Sequence, residues 1–254
     1  MITRGNELAL TRLTELIDEG RFPRMEITAD GYADVLGSTA PPARTFAQQL
    51  MRTTAYSTGY QALRPLGLRV AGGPHAPGRD RDRNEMADAL ALGPGQVVVD
   101  IGCGPGNFTG WFGTRVAPDG VAIGIDASHQ MLHRAATDNG GASVAYLRAD
   151  AEDLPLRADV ADAVTCLAAL YLINDPHQAL SEISRILRPG GRLVVLTSLA
   201  PGGVGSLRSR VISTAGGVRM FDRNEITTWL DELGFTVIGQ WCGGLAQKVT
   251  AIKK

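Results

Sequence analysis

The chain has 254 residues, 44% of them hydrophobic and 20% charged, the mixture of an ordinary globular protein long enough for one large domain or a core with an accessory segment. A formal net charge of -1 lacks the basic excess that a nucleic-acid binder uses on phosphates, so nucleic acid is not an expected partner. No apolar stretch approaches the roughly 18 residues of a membrane helix. The first residues hold no apolar segment of a secretory signal, and Cys103, Cys166 and Cys242 are too scattered for a metal motif or a paired framework. A cytoplasmic setting is expected.

In chain order, residues 7–19 read as an amphipathic helix with Leu10, Leu13, Leu16 and Ile17 on one face and Gly20 to end it. After the Pro41-Pro42 break, residues 44–63 read as another helix, with Tyr56 and Tyr60 four residues apart. The stretch GGPHAPG, residues 72–78, marks a loop, and a short helix follows at about 81–91. Its alternating run from Arg79 to Arg83 reads as a solvated helix start rather than a phosphate patch. The first 90 or so residues are therefore largely helical, without a clear core of their own.

From VVVDIG onward the pattern changes. That run is a buried strand, NFTGWFGTRV a helix, VAIGID (121–126) a second strand, and the stretch from 128 to 138 a second helix capped by Ser128. SVAYLRAD holds a third strand and ADAVTCLAALYL a fourth. DPHQALSEISRIL is a helix with proline in its first turn, stopped by Pro189-Gly190-Gly191, and RLVVLTS is a fifth strand. Strands alternating with helices imply a parallel sheet covered on both faces. The two last strand-like runs, joined at Gly243-Gly244, read as an antiparallel hairpin.

Glycines 102, 104 and 106 follow the first strand, where a ligand can meet backbone N–H groups at a helix start. A phosphate-binding GxxxxGK[ST] loop is ruled out by its missing Lys and Ser/Thr. A dinucleotide fingerprint, GxGxxG, is disfavoured because the third glycine comes one residue early and position 107 is Asn. Asp100, two residues before the first glycine, sits poorly beside a pyrophosphate and suits a ligand carrying positive charge. Asp126 follows the loop at about the 20 residues expected of an acid that binds ribose hydroxyls.

At these residues the sequence resembles the class I S-adenosylmethionine-dependent methyltransferases, closest to the small-molecule group of quinone-biosynthesis and natural-product enzymes. VVVDIGCGPGNFT, GIDASHQML, LRADAEDLPL, LRPGGRLVVLTS and FDRNEITTWLDELGF resemble its motifs, in the family's order, over about residues 85–254. The resemblance implies a Rossmann-like α/β fold: a doubly wound, mostly parallel seven-stranded sheet ending in an antiparallel hairpin. It implies a SAM-binding core at 86–254 under an N-terminal helical cap, residues 1–85, on the substrate side. It also implies site roles. Asp100 orients the loop and attracts the SAM ammonium, Gly102 and Gly104 let the methionine moiety pass, and Asp126 accepts the ribose hydroxyls. Ala127 or Met131 packs on the adenine face, Asp150 and Ala151 meet the adenine edge, and Leu167 lies under the sulfonium.

Other readings stand beside these. Met131 is also an ordinary core residue. Cys103 reads as a small packing residue rather than a nucleophile, with no base or cation near it in sequence. His129 and His133 read as a solvated helix face rather than metal ligands, so no metal is expected. Where relatives often carry a histidine base after strand four, this chain has Tyr171, which either lines the site or packs; the catalytic base is unassigned. The Gly-rich stretch 200–220 reads as a mobile lid. The expected reaction moves a methyl group from SAM, leaving S-adenosylhomocysteine (SAH), to a small-molecule or lipid-like acceptor, in a monomer or homodimer. A protein acceptor stays open. The alternatives are a non-catalytic SAM- or SAH-binding protein and a NAD-dependent oxidoreductase.

Overall fold

A computed structural model of the chain describes residues 5–38, 79–200, 202–204 and 218–254. The helix expected at 44–63 with Tyr56 and Tyr60, the loop at 72–78 and most of the stretch 200–220 lie outside the described residues.

Val97–Ile101 (β3), Val121–Asp126 (β4), Val144–Arg148 (β5), Ala161–Leu167 (β6) and Leu187–Ser198 (β7) pair in parallel. Their nearly continuous apolar runs suit strands covered on both sides. The terminal hairpin, Phe235–Gly243 (β8) and Ala246–Lys253 (β9), joins antiparallel, with β9 against β7. Two short strands, Glu26–Ile27 (β1) and Ala33–Asp34 (β2), extend the opposite edge, where β2 runs parallel to β5. The full order is β1-β2-β5-β4-β3-β6-β7-β9-β8. The chain leaves β3 in one direction through β4 and β5 and in the other through β6 and β7. The switch point therefore lies at β3, and a crevice opens at the carboxyl ends of the strands there.

The expected seven strands are all present, and the N-terminal segment adds the two edge strands to their sheet. Within the segment expected as a cap, Glu7–Leu16 (α1) places Ala9, Leu10 and Leu13 in the main core, packed against β4 and β5. The core expected at 86–254 thus takes one of its covering helices from residues 5–38. Pro176–Ile186 (α5) and Glu225–Glu232 (α6) contribute to the same core. On the other face, Arg79–Leu90 (α2) and Asn107–Val116 (α3) enclose Val98, Ala122 and Val194, and His129–Asp138 (α4) covers Val144 and Tyr146.

Helix ends follow their local chemistry. Ser128 caps α4 by accepting the Met131 N–H, and Asp175 caps α5 by accepting the Gln178 N–H, with Pro176 in the first turn. No helix among the described residues is long and apolar enough to cross a membrane.

Candidate functional site

The crevice at the switch point is a cleft walled by the loop after β3, the ends of β4 and β6, and the turns that follow β5 and β6. The loop is shaped by its glycines. Gly102, Gly104 and Gly106 all have positive φ, at 67°, 53° and 76°, which side-chain-bearing residues adopt at a cost. Two of them also lack room. A Cβ on Gly102 would stand 2.2 Å from the Ala169 Cβ, and one on Gly106 would stand 2.2 Å from the Tyr146 hydroxyl oxygen. At Gly104 a Cβ would meet nothing within 4 Å, so this residue faces open space on the cleft wall.

Asp100 is 3% exposed, and its carboxylate is held from both sides of the sheet end. One oxygen accepts the Thr165 hydroxyl of β6 at 2.8 Å, the other the Thr109 hydroxyl of α3 at 2.7 Å. Hydrogen bonds to an ionised acceptor are the strong ones, so the acid locks β3, β6 and α3 together beneath the loop. Asp126 does the same one strand over. Its two oxygens accept the backbone N–H groups of Gly104 and Ser128, each at 2.9 Å. This acid therefore does more than stand at a sheet edge, because it ties the glycine loop to the start of α4.

The nine residues expected to contact a cofactor come together here. Asp100, Gly102 and Gly104 form one wall, and Asp126, Ala127 and Met131 the next. Asp150 and Ala151 lie beyond them, and Leu167 closes the β6 side. Met131 is 5% exposed, so packing and cleft lining are both satisfied. Tyr171 is half-buried against the main core, outside the described part of the cleft wall, and its carbonyl accepts the Arg219 N–H.

Cys103 lines the cleft, but burial, then the charges of Asp126 and Asp100, push its thiol well above the usual range. A thiolate nucleophile is disfavoured there, as its packing role implies. His129 and His133 face the N-terminal segment: His129 Nδ1 lies 2.6 Å from the Tyr32 hydroxyl, and His133 lies 3.1 Å from Asp30. Among the described residues no group of three or more His, Cys, Asp or Glu could hold a metal ion.

Sequence reasoning missed several wall and support residues. Asn107, Phe108, Glu152 and Leu172 line the cleft. Tyr146 supports the loop from below; its buried hydroxyl donates to the Asn139 carbonyl at 2.9 Å. The glycine at position 106 was a signal for such a neighbour, since it leaves the space that the tyrosine ring end occupies. The turn after β5 is fastened by Glu182 of α5, which accepts the Leu154 N–H at 2.9 Å and the Arg185 guanidinium at 2.7 Å. Burial alone would raise this carboxyl. The Arg185 hydrogen bond, the Leu154 N–H and the charges of Arg185 and Arg21 outweigh it and hold the group below its ordinary value.

The cleft wall carries four carboxylates, Asp100, Asp126, Asp150 and Glu152, and no Lys, Arg or His among the described residues. Such a surface attracts positive charge and repels phosphate.

Residues 99–195 match a family model described as a methyltransferase domain. The chain is 42% identical over 115 residues to an uncharacterised 37.1 kDa protein in transposon TN4556 of Streptomyces fradiae, a match covering 44% of this chain and 33% of that protein. It is 37% identical over 118 residues to the ubiquinone/menaquinone biosynthesis C-methyltransferase UbiE of Vibrio campbellii, covering 45% of this chain and 46% of that enzyme. The chain thus spans less than half the length of these relatives. Among solved structures it is similar to a geranyl diphosphate C-methyltransferase from Streptomyces coelicolor A3(2), with TM-score 0.62 and 16% identity, covering 69% of this chain and 79% of that one. The strand order and these matches place the core in the class I methyltransferase fold.

Proposed function

We propose that this chain, whose core is a class I methyltransferase domain, transfers a methyl group from S-adenosylmethionine to an apolar small-molecule acceptor. The observation that carries the reading is the charge of the cleft: four carboxylates and no cationic side chain among its described wall residues. A ligand with an ammonium and a sulfonium is favoured on such a wall. A dinucleotide pyrophosphate is not, which sets aside the NAD reading.

The residues present fit the cofactor. Gly104 turns an open backbone position toward the cleft, where a methionine chain can lie close to the loop. Asp126 stands at the end of β4, where a carboxylate can take two ribose hydroxyls. It has about four acceptor sites, enough to serve the loop amides and a ligand together. Ala127 and Met131 offer an apolar face for adenine, Asp150 and Ala151 its edge, and Leu167 an apolar surface near the reacting centre. The cofactor supplies a methyl group on sulfur that is already a good leaving group.

The chain's own contribution is then mainly alignment. Asp100 and its two threonines hold the loop rigid, so that donor and acceptor can meet in line without further reorganisation. Phe108, Leu167, Leu172 and Ile173 give the cleft an apolar side suited to a quinone-like or isoprenoid acceptor. The printed role of one relative, ubiquinone/menaquinone biosynthesis, supports the same class. Among the described residues the cleft wall carries no cationic side chain to meet a nucleic acid's phosphates.

The test is incubation with SAM and a panel of quinol and isoprenoid compounds, following SAH release. SAH formed with an apolar acceptor supports the proposal. SAH binding with no turnover on any member of a broad panel that includes protein and nucleic acid would favour the non-catalytic alternative.

A further inference from the structure

Arg148 and Asp34 form a buried ion pair beside the cleft, 4% and 9% exposed, with Nη1 of the arginine 3.0 Å from Asp34 Oδ2. They stand opposite each other where β2 pairs with β5. A buried pair of this kind gives little net stability, because desolvation offsets the attraction. What the pair holds is more informative. Arg148 Nε donates to the Ala127 carbonyl at 3.1 Å, while Nη1 also donates to the Gly37 carbonyl at 2.8 Å. Asp34 in turn accepts the N–H groups of Leu36 and Gly37 at 2.8 and 3.0 Å. One rigid guanidinium fork thus joins the N-terminal segment to Ala127.

Ala127 is the middle residue of the turn that carries Asp126 and Ser128, and all three line the cleft. The turn is stretched between two anchors. Asp126 reaches forward to Gly104 and Ser128, and Ala127 is held from behind by Arg148. A second tie lies two residues on, between the Tyr32 hydroxyl and His129.

From this geometry we infer that Asp34 and Arg148 are positioning residues for the nucleoside half of the ligand: the N-terminal segment clasps the Ala127 turn and so sets the place of the Asp126 carboxylate. The inference rests on the cofactor reading above. Neither residue is among the described residues of the cleft wall; Arg148 stands in the LRADAEDLPL segment two residues before Asp150, and Asp34 lies outside the family-like motifs.

The experiment is calorimetric titration of the full chain with SAH, for the wild type, Asp34→Asn, Arg148→Lys and Arg148→Met, at a temperature well below each protein's unfolding transition. Backbone hydrogen exchange without ligand accompanies it. Arg148→Lys keeps the charge for Asp34 but loses the fork, so it remains informative if the methionine variant fails to fold. The clasp predicts a loss of affinity of about 3- to 30-fold in the folded variants, with faster exchange at the Gly104 and Ser128 amides and unchanged exchange in β9. Folded variants that bind SAH as the wild type does would overturn the clasp and leave the cofactor reading intact. Faster exchange spread through β9 with unaltered affinity would show a purely structural pair and overturn it too. A wild type that does not bind SAH would remove the cofactor reading and the clasp together.

Discussion

The glycines of the loop after β3 separate two demands that act on single residues. At Gly102 the backbone needs positive φ and the neighbouring Ala169 leaves no room, so Gly102→Ala combines strain with overpacking. At Gly104 only the φ demand is present, and the added methyl would stand in open space at the cleft. Gly102→Ala is therefore expected to destabilise the fold by about 2–4 kcal/mol. Gly104→Ala should cost about 1–2 kcal/mol yet weaken SAM binding more than stability. Thermal unfolding and SAM titration of the two variants check this; equal stability losses would mean that the Ala169 contact relaxes freely. The places of Asp100 and Asp126 on the cleft wall were readable as residue types at fixed spacing. Their partners Thr109, Thr165 and Gly104 were not, because these come from elements that meet the two acids only in the fold.

At the scale of elements, the strands and helices from β3 to β9 were legible from apolar runs in the parallel strands and amphipathic faces in most of the helices. The N-terminal segment was not. Its amphipathic helix announced an apolar face, yet nothing local says which surface that face meets. The structure sends Leu13, fully buried, into the core beneath β4 and β5, and two-residue strands are too short for any alternation to reveal. Removing residues 1–40 is therefore expected to unfold the core rather than spare SAM affinity, and circular dichroism of the truncated chain checks it; a folded, SAM-binding truncate would contradict the placement of α1. A second element-level prediction concerns α5. Glu182 has a folded value held below its ordinary one, so its contribution is present above the unfolded value, about 4.3. That contribution is lost as pH falls through the lowered folded value. Glu182→Gln should then flatten the acid limb of a stability-versus-pH curve, measured by denaturant unfolding between about pH 3 and 7. An unchanged slope would show that the Arg185 and Leu154 contacts do not stabilise the charged form.

For the molecule as a whole, the doubly wound order brings the ends of β3, β4, β5 and β6 to one crevice, and with them acids from three separate stretches of the chain, Asp100, Asp126, and Asp150 with Glu152. The central claim is that this crevice is built for a cationic nucleoside, with Asp126 serving both the loop and the ribose. The most direct measurement is calorimetric titration of the wild type and Asp126→Ala with SAM, SAH and NAD. On the proposed reading the variant loses two charge-assisted hydrogen bonds to ribose, at about 1.5–3 kcal/mol each, and the Gly104 and Ser128 amides lose their acceptor as well. The account predicts SAM and SAH binding by the wild type, little or no NAD binding, and a weakening on the order of 100- to 10,000-fold in a variant that stays folded. Preference for NAD over SAM, or SAM binding indifferent to the loss of Asp126, would contradict it.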